Sequence, residues 1–231
     1  MPEMYEIYDQ HAHMYHELVS HEDYRENLRR FLLEKIEWNN KIVYEAGIGT
    51  GRVAGIYLPY VKTVYGFDRA KHMIEYASRY LNKYAGKLHL GTGNNKKLPV
   101  IDQRPDIFIQ GWSFGHLMMD EPQNVSSNTE HLVNQCRAIM GNSGVTIFIE
   151  TLGTFTNEPG APAKPLEEFY SILEKNGFNR YVLETGYRFN DVQHAADVMG
   201  FFFGDVMRDK ILAQDKVVIP EYTGVWISRN S

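Results

Sequence analysis

The stretch IVYEAGIGTG, residues 42–51, decides the fold of this chain. Its apolar start has the composition of a β-strand, and its end carries glycine at alternate positions, Gly47, Gly49 and Gly51. Glycine has no Cβ and adopts φ > 0 without steric cost, so a loop of this kind lets bare backbone approach a ligand closely. The stretch therefore predicts a strand that ends in a ligand-binding turn.

A second stretch, TVYGFD at residues 63–68, predicts a neighbouring strand that ends in an acidic side chain, Asp68. In open α/β sheets, ligands bind at the carboxyl ends of the parallel strands, where a carboxylate on the second strand accepts hydrogen bonds from ribose hydroxyls. The glycine loop and Asp68 together predict that the ligand contains a nucleoside.

Two classes of nucleoside ligand fit this loop. Residues 49–54, GTGRVA, match the dinucleotide fingerprint G-x-G-x-x-G/A, which leaves a nicotinamide-dependent reductase as one alternative. Glu45 favours another ligand, because a negative charge beside the loop would repel a pyrophosphate and attract the ammonium group of a methionyl moiety. The stretch GNNKKLP at residues 93–99, after a third predicted strand over 87–92, serves no purpose in a dinucleotide site.

Residues 41–151 resemble the class I S-adenosylmethionine-dependent methyltransferases in three ordered motifs. Residues 45–51 are similar to the first motif of that family, [D/E]-x-G-x-G-x-G, and residues 64–68 look like its ribose-binding strand. Residues 93–99 are similar to the usual G-D-[AS]-x-x-L-P, with Asn94 in place of the acid; an amide can still accept from the adenine amino group and donate to a ring nitrogen. The resemblance implies S-adenosylmethionine as cofactor and transfer of its methyl group as the reaction.

The resemblance also implies which residues bind the cofactor. Asp68 would hold the ribose and Asn94 the adenine. Independently of the resemblance, we expect Tyr8 and Tyr15 of the polar, aromatic N-terminal segment to lie over the cofactor. The expected cofactor-binding residues are Glu45, Gly47, Gly49, Gly51, Asp68, Arg69, Met73, Asn94, Asn95, Gln110, Trp112 and Tyr15.

Two residues past later strands are candidates for catalysis. His116 follows the fourth predicted strand and could take a proton from a nucleophile, or it could be an ordinary loop histidine. Glu150 ends the fifth, where desolvation would raise the proton affinity of its carboxylate and suit a base or an amine anchor. The alternative for Glu150 is a carboxylate tied to backbone amides. Tyr187 and Glu221 could also face this pocket, or they could belong to a simple turn.

Strand and helix patterns alternate along the chain. The stretches DIFI at 106–109 and VTIFI at 145–149 are almost entirely apolar, which is typical of strands covered by helices on both faces. This alternation predicts an α/β fold with a doubly wound, mostly parallel sheet, and the resemblance implies seven strands. The resemblance further implies an antiparallel closing strand near the carboxyl end and a helical insertion before it, over residues 191–212. The other predicted helices are 51–57, 69–84, 128–140 and 165–176, and the other predicted strands are 62–67, 106–110, 144–151 and 180–188.

The chain is expected to form one domain in three parts: an N-terminal lid and helix at 1–40, a cofactor-binding core at 41–151, and a substrate-side half at 152–231. SHED, residues 20–23, matches a capping box for the helix that precedes the first strand. The segment upstream is polar and aromatic and lacks a core pattern of its own, so we expect a mobile lid. Its histidines lack Cys, Asp or Glu partners at ligand spacing, so no metal is expected.

The charge and composition of the chain limit the classes of function that it can have. The net charge is −5 and basic residues are scattered, which disfavours a nucleic acid substrate. The single cysteine rules out an internal disulfide, and no apolar run or leader pattern is present, so a cytoplasmic protein is expected. The sequence thus predicts methyl transfer to a small-molecule acceptor by a monomer or homodimer. Other chemistry with S-adenosylmethionine, or binding of it without catalysis, remains an alternative.

Overall fold

The computed structural model describes residues 4–141 and 143–230, without the side chains of residues 4 and 230. Within these residues, helices alternate with strands through most of the chain, as the sequence predicts. The helices are Met4–Gln10 (α1), Ala12–Ser20 (α2), Asn27–Lys35 (α3), Ala54–Tyr57 (α4), Lys71–Tyr80 (α5), Phe114–Asp120 (α6), Val125–Met140 (α7), Lys164–Lys175 (α8), Val192–Phe203 (α9) and Asp205–Gln214 (α10).

The strands form one large sheet and one small ribbon. They are Ile42–Ala46 (β1), Thr63–Asp68 (β2), Leu88–Thr92 (β3), Ile107–Gly111 (β4), Gly144–Thr154 (β5), Asn179–Glu184 (β6), Tyr187–Arg188 (β7), Val218–Ile219 (β8) and Glu221–Asn230 (β9). The large sheet has seven strands in the order β3-β2-β1-β4-β5-β9-β6, and β7 pairs with β8 separately. Only β9 runs antiparallel to its neighbours, β5 and β6. The predicted doubly wound, mostly parallel fold is confirmed.

Alternate residues of the central strands belong to two apolar clusters, one on each face of the sheet. Tyr44, Phe108 and Phe148 belong to one cluster, which includes the apolar faces of α7 and α8. Val43 and Ile109 belong to the other, which includes residues of α3 and α4. Successive side chains of a strand point to opposite faces of the sheet, so these strands must be apolar along their whole length. This accounts for the apolar runs in the sequence.

The parallel register brings the ends of the central strands together. Ala46 at the end of β1 lies beside Phe67 of β2 and beside Gln110 of β4. Gly111 in turn lies beside Ile149 of β5. The loops that follow β1, β2, β4 and β5 therefore share one edge of the sheet, where the sequence predicts the site.

The N-terminal region differs from the prediction in two ways. Ser20 ends α2 and Glu26 precedes α3, so the predicted capping box is wrong. Asp23 replaces it, because its carboxylate accepts hydrogen bonds from the backbone amides of Leu28 and Arg29, at 3.0 to 3.1 Å. In addition, α1 and α2 bury apolar side chains, including Ile7, against the rest of the protein.

Element boundaries also differ near the site. Residues 114–120, which lie outside the predicted helices, form α6, so His116 lies on a helix. The insertion is confirmed, but it consists of two helices separated at Gly204, which has φ 90° and therefore breaks the helix. The strand expected at 180–188 is interrupted between β6 and β7. None of the helices in the described part of the chain is long and apolar enough to cross a membrane.

Candidate active site

A cavity of about 340 Å³ lies at the carboxyl ends of β1, β2 and β4; we call it the donor cavity. Gly49 has φ +56°, and a Cβ placed there would lie 3.7 Å from the ring of Tyr15. The loop therefore presents backbone to the cavity beneath an aromatic ring. The predicted cofactor-binding residues that line it are Gly47, Gly49, Asp68, Arg69, Met73, Asn94, Asn95, Trp112 and Tyr15.

The three loop glycines serve different purposes. A Cβ at Gly47 would lie 2.1 Å from Oγ of Ser113, and one at Gly51 would lie 2.4 Å from a methyl carbon of Leu81. Both glycines are thus required by packing inside the protein. Gly49 alone among the three has no such close neighbour, because the nearest atom to a Cβ there is 3.7 Å away, on the ring of Tyr15, so its backbone stays accessible from the donor cavity.

Asp68 anchors the glycine loop and faces the donor cavity. Its two carboxylate oxygens accept hydrogen bonds from the backbone amides of Gly49 and Ala70, each at 2.9 Å. Burial raises the pKa of this carboxyl, and the two amides oppose that increase. Each carboxylate oxygen has a second acceptor position, so hydrogen bonds to a ribose diol are compatible with these contacts.

Asn94 and Asn95 belong to a tight loop after β3. The side-chain oxygen of Asn94 accepts from the amide of Lys96 at 2.9 Å. The side-chain nitrogen of Asn95 donates to Oγ of Ser113 at 2.8 Å. These bonds fix the loop beside the turn that follows β4, and both asparagines line the donor cavity.

Glu45, Gly51 and Gln110 do not line the donor cavity. Glu45 is buried and accepts a hydrogen bond from the hydroxyl of Tyr57. Burial raises its pKa to about 8, so the carboxyl is largely protonated at neutral pH, whereas the sequence predicts a negative charge. Gln110 instead holds the next turn, because its side-chain oxygen accepts from the amides of Ser113 and of the following residue. Direct contact of these residues with the cofactor stays a prediction.

A second cavity, of about 300 Å³, adjoins the first; we call it the acceptor cavity. It is bounded by the ends of β4 and β5, by α2, and by the end of α9. Tyr8, Tyr15, Trp112 and His116 line both cavities and so mark the boundary between them. A group at this boundary is accessible from either side.

Trp112 adopts an unusual backbone conformation at this boundary. Its φ is 51°, in the left-handed region that bulky residues rarely enter. The amide of Trp112 donates to the carbonyl of Ile149 at 2.7 Å, and the guanidinium of Arg52 lies 3.7 Å from the centre of the indole ring. These two contacts oppose a strain of about 1–3 kcal/mol.

His116 and Glu150 lie on either side of Gly115. Nε2 of His116 is 3.0 Å from the hydroxyl of Tyr8, and burial lowers the pKa of the imidazole, which is therefore neutral at pH 7. Oε1 of Glu150 accepts from the amide of Gly115 at 2.9 Å and from the side chain of Gln110 at 3.1 Å. Burial raises the pKa of Glu150 to about 7. One oxygen is thus tied to an amide, as one interpretation expected, while the carboxyl as a whole lines the acceptor cavity.

The sequence interpretation missed Glu22 and Arg52. Both line the acceptor cavity, and Arg52 forms a salt bridge with Glu22. Glu22 had been assigned to the capping box, and Arg52 only to the dinucleotide fingerprint. Tyr187 and Glu221, for which a place in the pocket had been one of two interpretations, also line this cavity. No local pattern could have joined Glu22 to Tyr187, because their hydrogen bond links positions 165 residues apart.

One group of side chains has a geometry that could hold a metal ion. Single ligand atoms of Glu17, His21 and His194 lie within 4.8 Å of one another. The histidines considered in the sequence, at 11, 13 and 16, are not in this group. The carboxylate of Glu17 lies 3.2 Å from a ring nitrogen of each of the two histidines, which accounts for the cluster as a link between α2 and α9.

Comparisons with known proteins agree with the fold and the motifs. Residues 44–148 match the model of a methyltransferase domain family. No sequence among the curated proteins matches that of this chain. The structure resembles the YcgJ protein of Bacillus subtilis, at 14% identity and TM-score 0.59, over 88% of this chain and 98% of that one.

Two further solved structures are similar. A SAM-dependent methyltransferase from Aquifex aeolicus has 16% identity and TM-score 0.53, over 87% of this chain and 89% of that one. Phosphoethanolamine N-methyltransferase 2 of Haemonchus contortus has 11% identity and TM-score 0.61, over 97% of this chain and 58% of that one. At such identities the likeness concerns the fold, whereas the family match covers the motif region. Residues 44–148 form a methyltransferase domain, and the chain has the fold of the class I S-adenosylmethionine-dependent methyltransferases; these findings support an enzyme that uses S-adenosylmethionine.

Proposed function

We propose that the enzyme transfers the methyl group of S-adenosylmethionine to a nucleophilic atom of a small molecule in the acceptor cavity. The observation that carries this proposal is the pair of adjoining cavities with a shared boundary of Tyr8, Tyr15, Trp112 and His116. A donor on one side and an acceptor on the other would meet at these four side chains. Direct transfer requires such a meeting point, because donor, methyl carbon and nucleophile must lie in line.

The donor cavity suits the cofactor. Gly49 supplies open backbone, Asp68 has acceptor positions for a ribose diol, and Asn94 presents an amide at the edge of the cavity. When bound, S-adenosylmethionine supplies a methyl group already activated by the sulfonium. The protein then has to position the acceptor and exclude water, which can lower the barrier by about 7–11 kcal/mol in favourable cases.

Glu150 is the proposed base for an acceptor that is protonated at neutral pH. Its pKa of about 7 lets the carboxylate accept a proton near that pH and release it again. The imidazole of His116 is neutral and lies closer to the boundary, where its contact with Tyr8 orients it. We assign His116 to placement of the acceptor and, as the second candidate, to proton removal.

The size and charge of the site favour a small acceptor. The cavity measures about 300 Å³ and is covered by aromatic side chains, including Phe202 and Phe203 of α9. The net charge of −5 opposes the approach of a phosphate backbone. The buried single cysteine, Cys136, fits the reducing environment of the cytoplasm, where we expect the enzyme to act.

The test has a binding arm and a turnover arm. Calorimetric titration with S-adenosylhomocysteine measures cofactor binding, and titration with NADH should give no heat of binding. Incubation with methyl-labelled S-adenosylmethionine and fractions of a small-molecule extract should yield a labelled product and S-adenosylhomocysteine. A product that carries the aminobutyrate group instead would replace methyl transfer with the alternative chemistry.

Glu150→Gln examines the proposed base. The variant should bind S-adenosylhomocysteine like the wild type and lower turnover by roughly 10²–10⁴. Glu167→Gln, at an exposed position of α8, is the matched control and should change neither quantity. An equal loss of cofactor affinity in Glu150→Gln would indicate that Glu150 belongs to the cofactor site. The methyl transfer would then have no assigned base.

A further inference from the structure

The acceptor cavity contains more buried acid than base. Three carboxyl groups line it, those of Glu22, Glu150 and Glu221, against the single guanidinium of Arg52. That guanidinium already bonds Glu22 and stacks on Trp112. Among the residues that the structure describes, the cavity therefore offers no unengaged positive charge to an anionic ligand.

Glu22 has one occupied and one unoccupied oxygen. Its side chain is 4% exposed, and Oε2 accepts hydrogen bonds from Arg52 and, at 3.0 Å, from the hydroxyl of Tyr187. Oε1 is buried and has no hydrogen-bond partner within the described residues. Both hydrogen-bond partners of this carboxylate, Arg52 and Tyr187, therefore contact the same oxygen.

Glu221 repeats this arrangement. The residue is 3% exposed, and Oε1 accepts from the hydroxyl of Thr151 at 2.8 Å. Oε2 is buried and lacks a hydrogen-bond partner in residues 4–141 and 143–230. Burial and the nearby charge of Glu22 raise the pKa of Glu221 to about 8, and the hydroxyls of Thr154 and Thr151 oppose that increase.

Such oxygens are costly to leave unpaired. A buried acceptor without a donor costs about 1–3 kcal/mol, and more when it is charged, so most native structures avoid it. Two carboxyl groups with the same defect line one cavity here, and the charge of Glu22 raises the pKa of Glu221. A ligand that brought several N–H donors and a positive charge would satisfy both.

We propose that the acceptor carries a protonated amino group and that Oε1 of Glu22 and Oε2 of Glu221 bind it. The rings of Trp112 and Tyr187 line the same cavity and favour a cation. Leu18 and other apolar side chains of the wall would pack against the carbon skeleton of the ligand. The ammonium subsite rests on the proposed function only in that its ligand is the methyl acceptor.

The test compares three probes of similar shape: 2-phenylethylamine, 2-phenylethanol and 3-phenylpropanoate. Each is titrated calorimetrically into the wild-type enzyme saturated with S-adenosylhomocysteine, near pH 7. The amine should bind at least about tenfold more tightly than the alcohol, because its bonds to carboxylates are charge-assisted, and the carboxylate should bind most weakly.

Glu221→Gln tests the assigned residue. It keeps the size of the side chain and removes the carboxylate that forms when this carboxyl loses its proton beside an ammonium group, so the affinity for the amine should fall about tenfold or more while that for the alcohol changes little. Glu167→Gln is again the matched control. Affinity for S-adenosylhomocysteine and the unfolding temperature, measured on the same samples, show whether the variant is folded.

The outcomes separate the two proposals. Failure of S-adenosylhomocysteine to bind would refute the proposed function, whatever the probes do. Binding of S-adenosylhomocysteine without a preference for the amine, or without binding of any probe, would overturn the ammonium subsite alone. A preference for the amine that survives unchanged in Glu221→Gln would overturn the assignment of this residue.

Discussion

The donor and acceptor cavities are built in different ways. Apart from Tyr5, Tyr8 and Tyr15, the donor cavity is lined by residues between Gly47 and Glu121, many of them in the turns that follow β1, β2, β3 and β4. The acceptor cavity has walls from positions between Tyr8 and Glu221, and its charged groups are the side chains of Glu22, Arg52, Glu150 and Glu221. One cavity is thus a product of strand ends, and the other is a product of tertiary packing.

This difference separates two kinds of specificity. Backbone at a strand end is fixed by the sheet, so the donor side tolerates little change in the loop that follows β1. The acceptor side depends on side chains from α2, α6, α9 and β9, each of which can change without altering the sheet. Acceptor preference can therefore vary while the cofactor site is kept.

The largest expected effect would come from blocking the donor side. Gly49→Val places a β-branched side chain at φ +56°, in space that faces the ring of Tyr15, and should weaken S-adenosylhomocysteine binding by more than about 100-fold. Calorimetry measures the loss. Gly55→Ala is the matched control, because a Cβ there makes only an ordinary contact, at 4.0 Å from Leu81. Unchanged affinity in folded Gly49→Val would contradict the assignment of the donor cavity to the cofactor.

On the donor side, loss of a charged contact should cost more binding free energy than loss of a neutral one. Asp68→Asn keeps the shape of the side chain but removes a charge-assisted contact to the ribose, and should cost about 1.5–3 kcal/mol of binding free energy. Asn94→Ala removes a neutral contact and should cost about 0.5–1.5 kcal/mol. Calorimetry that gave the reverse order would show that the ribose and adenine contacts are misassigned.

A smaller effect concerns Glu45, which is buried in the fold and does not line the donor cavity: its carboxyl should make the stability of the protein depend on pH. The pKa of Glu45 is about 8 in the folded protein against an ordinary value of 4.5, so folding favours its protonated form. The resulting stabilisation is fully present below about pH 4.5 and is lost as the pH rises through about 8. From about pH 5.5 to 8.5, it should reduce the free energy of unfolding by up to about 3 kcal/mol.

Urea unfolding of the ligand-free protein at the two pH values measures this loss. Glu45→Gln cannot ionise and should show a smaller decrease, and the remainder would come from Glu150 and Glu221, whose pKa values are raised in the same direction. An undiminished decrease in Glu45→Gln would mean that this carboxyl does not contribute.

The smallest expected effect concerns α1 and α2. Their tyrosines face both cavities, and ligands should hold these helices closed, so amide exchange over residues 4–19 should slow about tenfold with S-adenosylhomocysteine. Exchange in α7 should slow less. Equal exchange rates with and without the ligand would make α1 and α2 a fixed part of the fold. The first three residues, which the prediction of a lid also included, lie outside the described residues.

The sequence predicted the fold through its central strands, because strands buried on both faces must be apolar throughout. The sequence also predicted that Gly49, Asp68 and Asn94 lie in the same site, since each follows or ends a strand, and all three line the donor cavity. The protonation of Glu45 could not be read in this way, because it depends on burial and on Tyr57.

The acceptor side was less predictable for a related reason. Glu22 has its hydrogen-bond partners on β7 and beyond the glycine loop, and only the folded chain brings them together. The helix α6 was missed because Ser113 and Gly115 suggest a loop, whereas the hydrogen bonds that the side-chain oxygen of Gln110 accepts from two backbone amides hold the start of this helix. Local sequence patterns carry no information about such contacts.

Arg52 connects the glycine loop to the wall of the acceptor cavity. It follows Gly51 directly in the chain, and its guanidinium bonds Glu22 in the wall of the acceptor cavity. If cofactor binding displaces the glycine loop, the bond from Arg52 to Glu22 would carry that displacement to this wall. By thermodynamic reciprocity, the factor by which the cofactor alters acceptor affinity equals the factor by which the acceptor alters cofactor affinity. Such coupling would run through one residue, whose backbone adjoins the glycine loop and whose side chain lines the acceptor cavity.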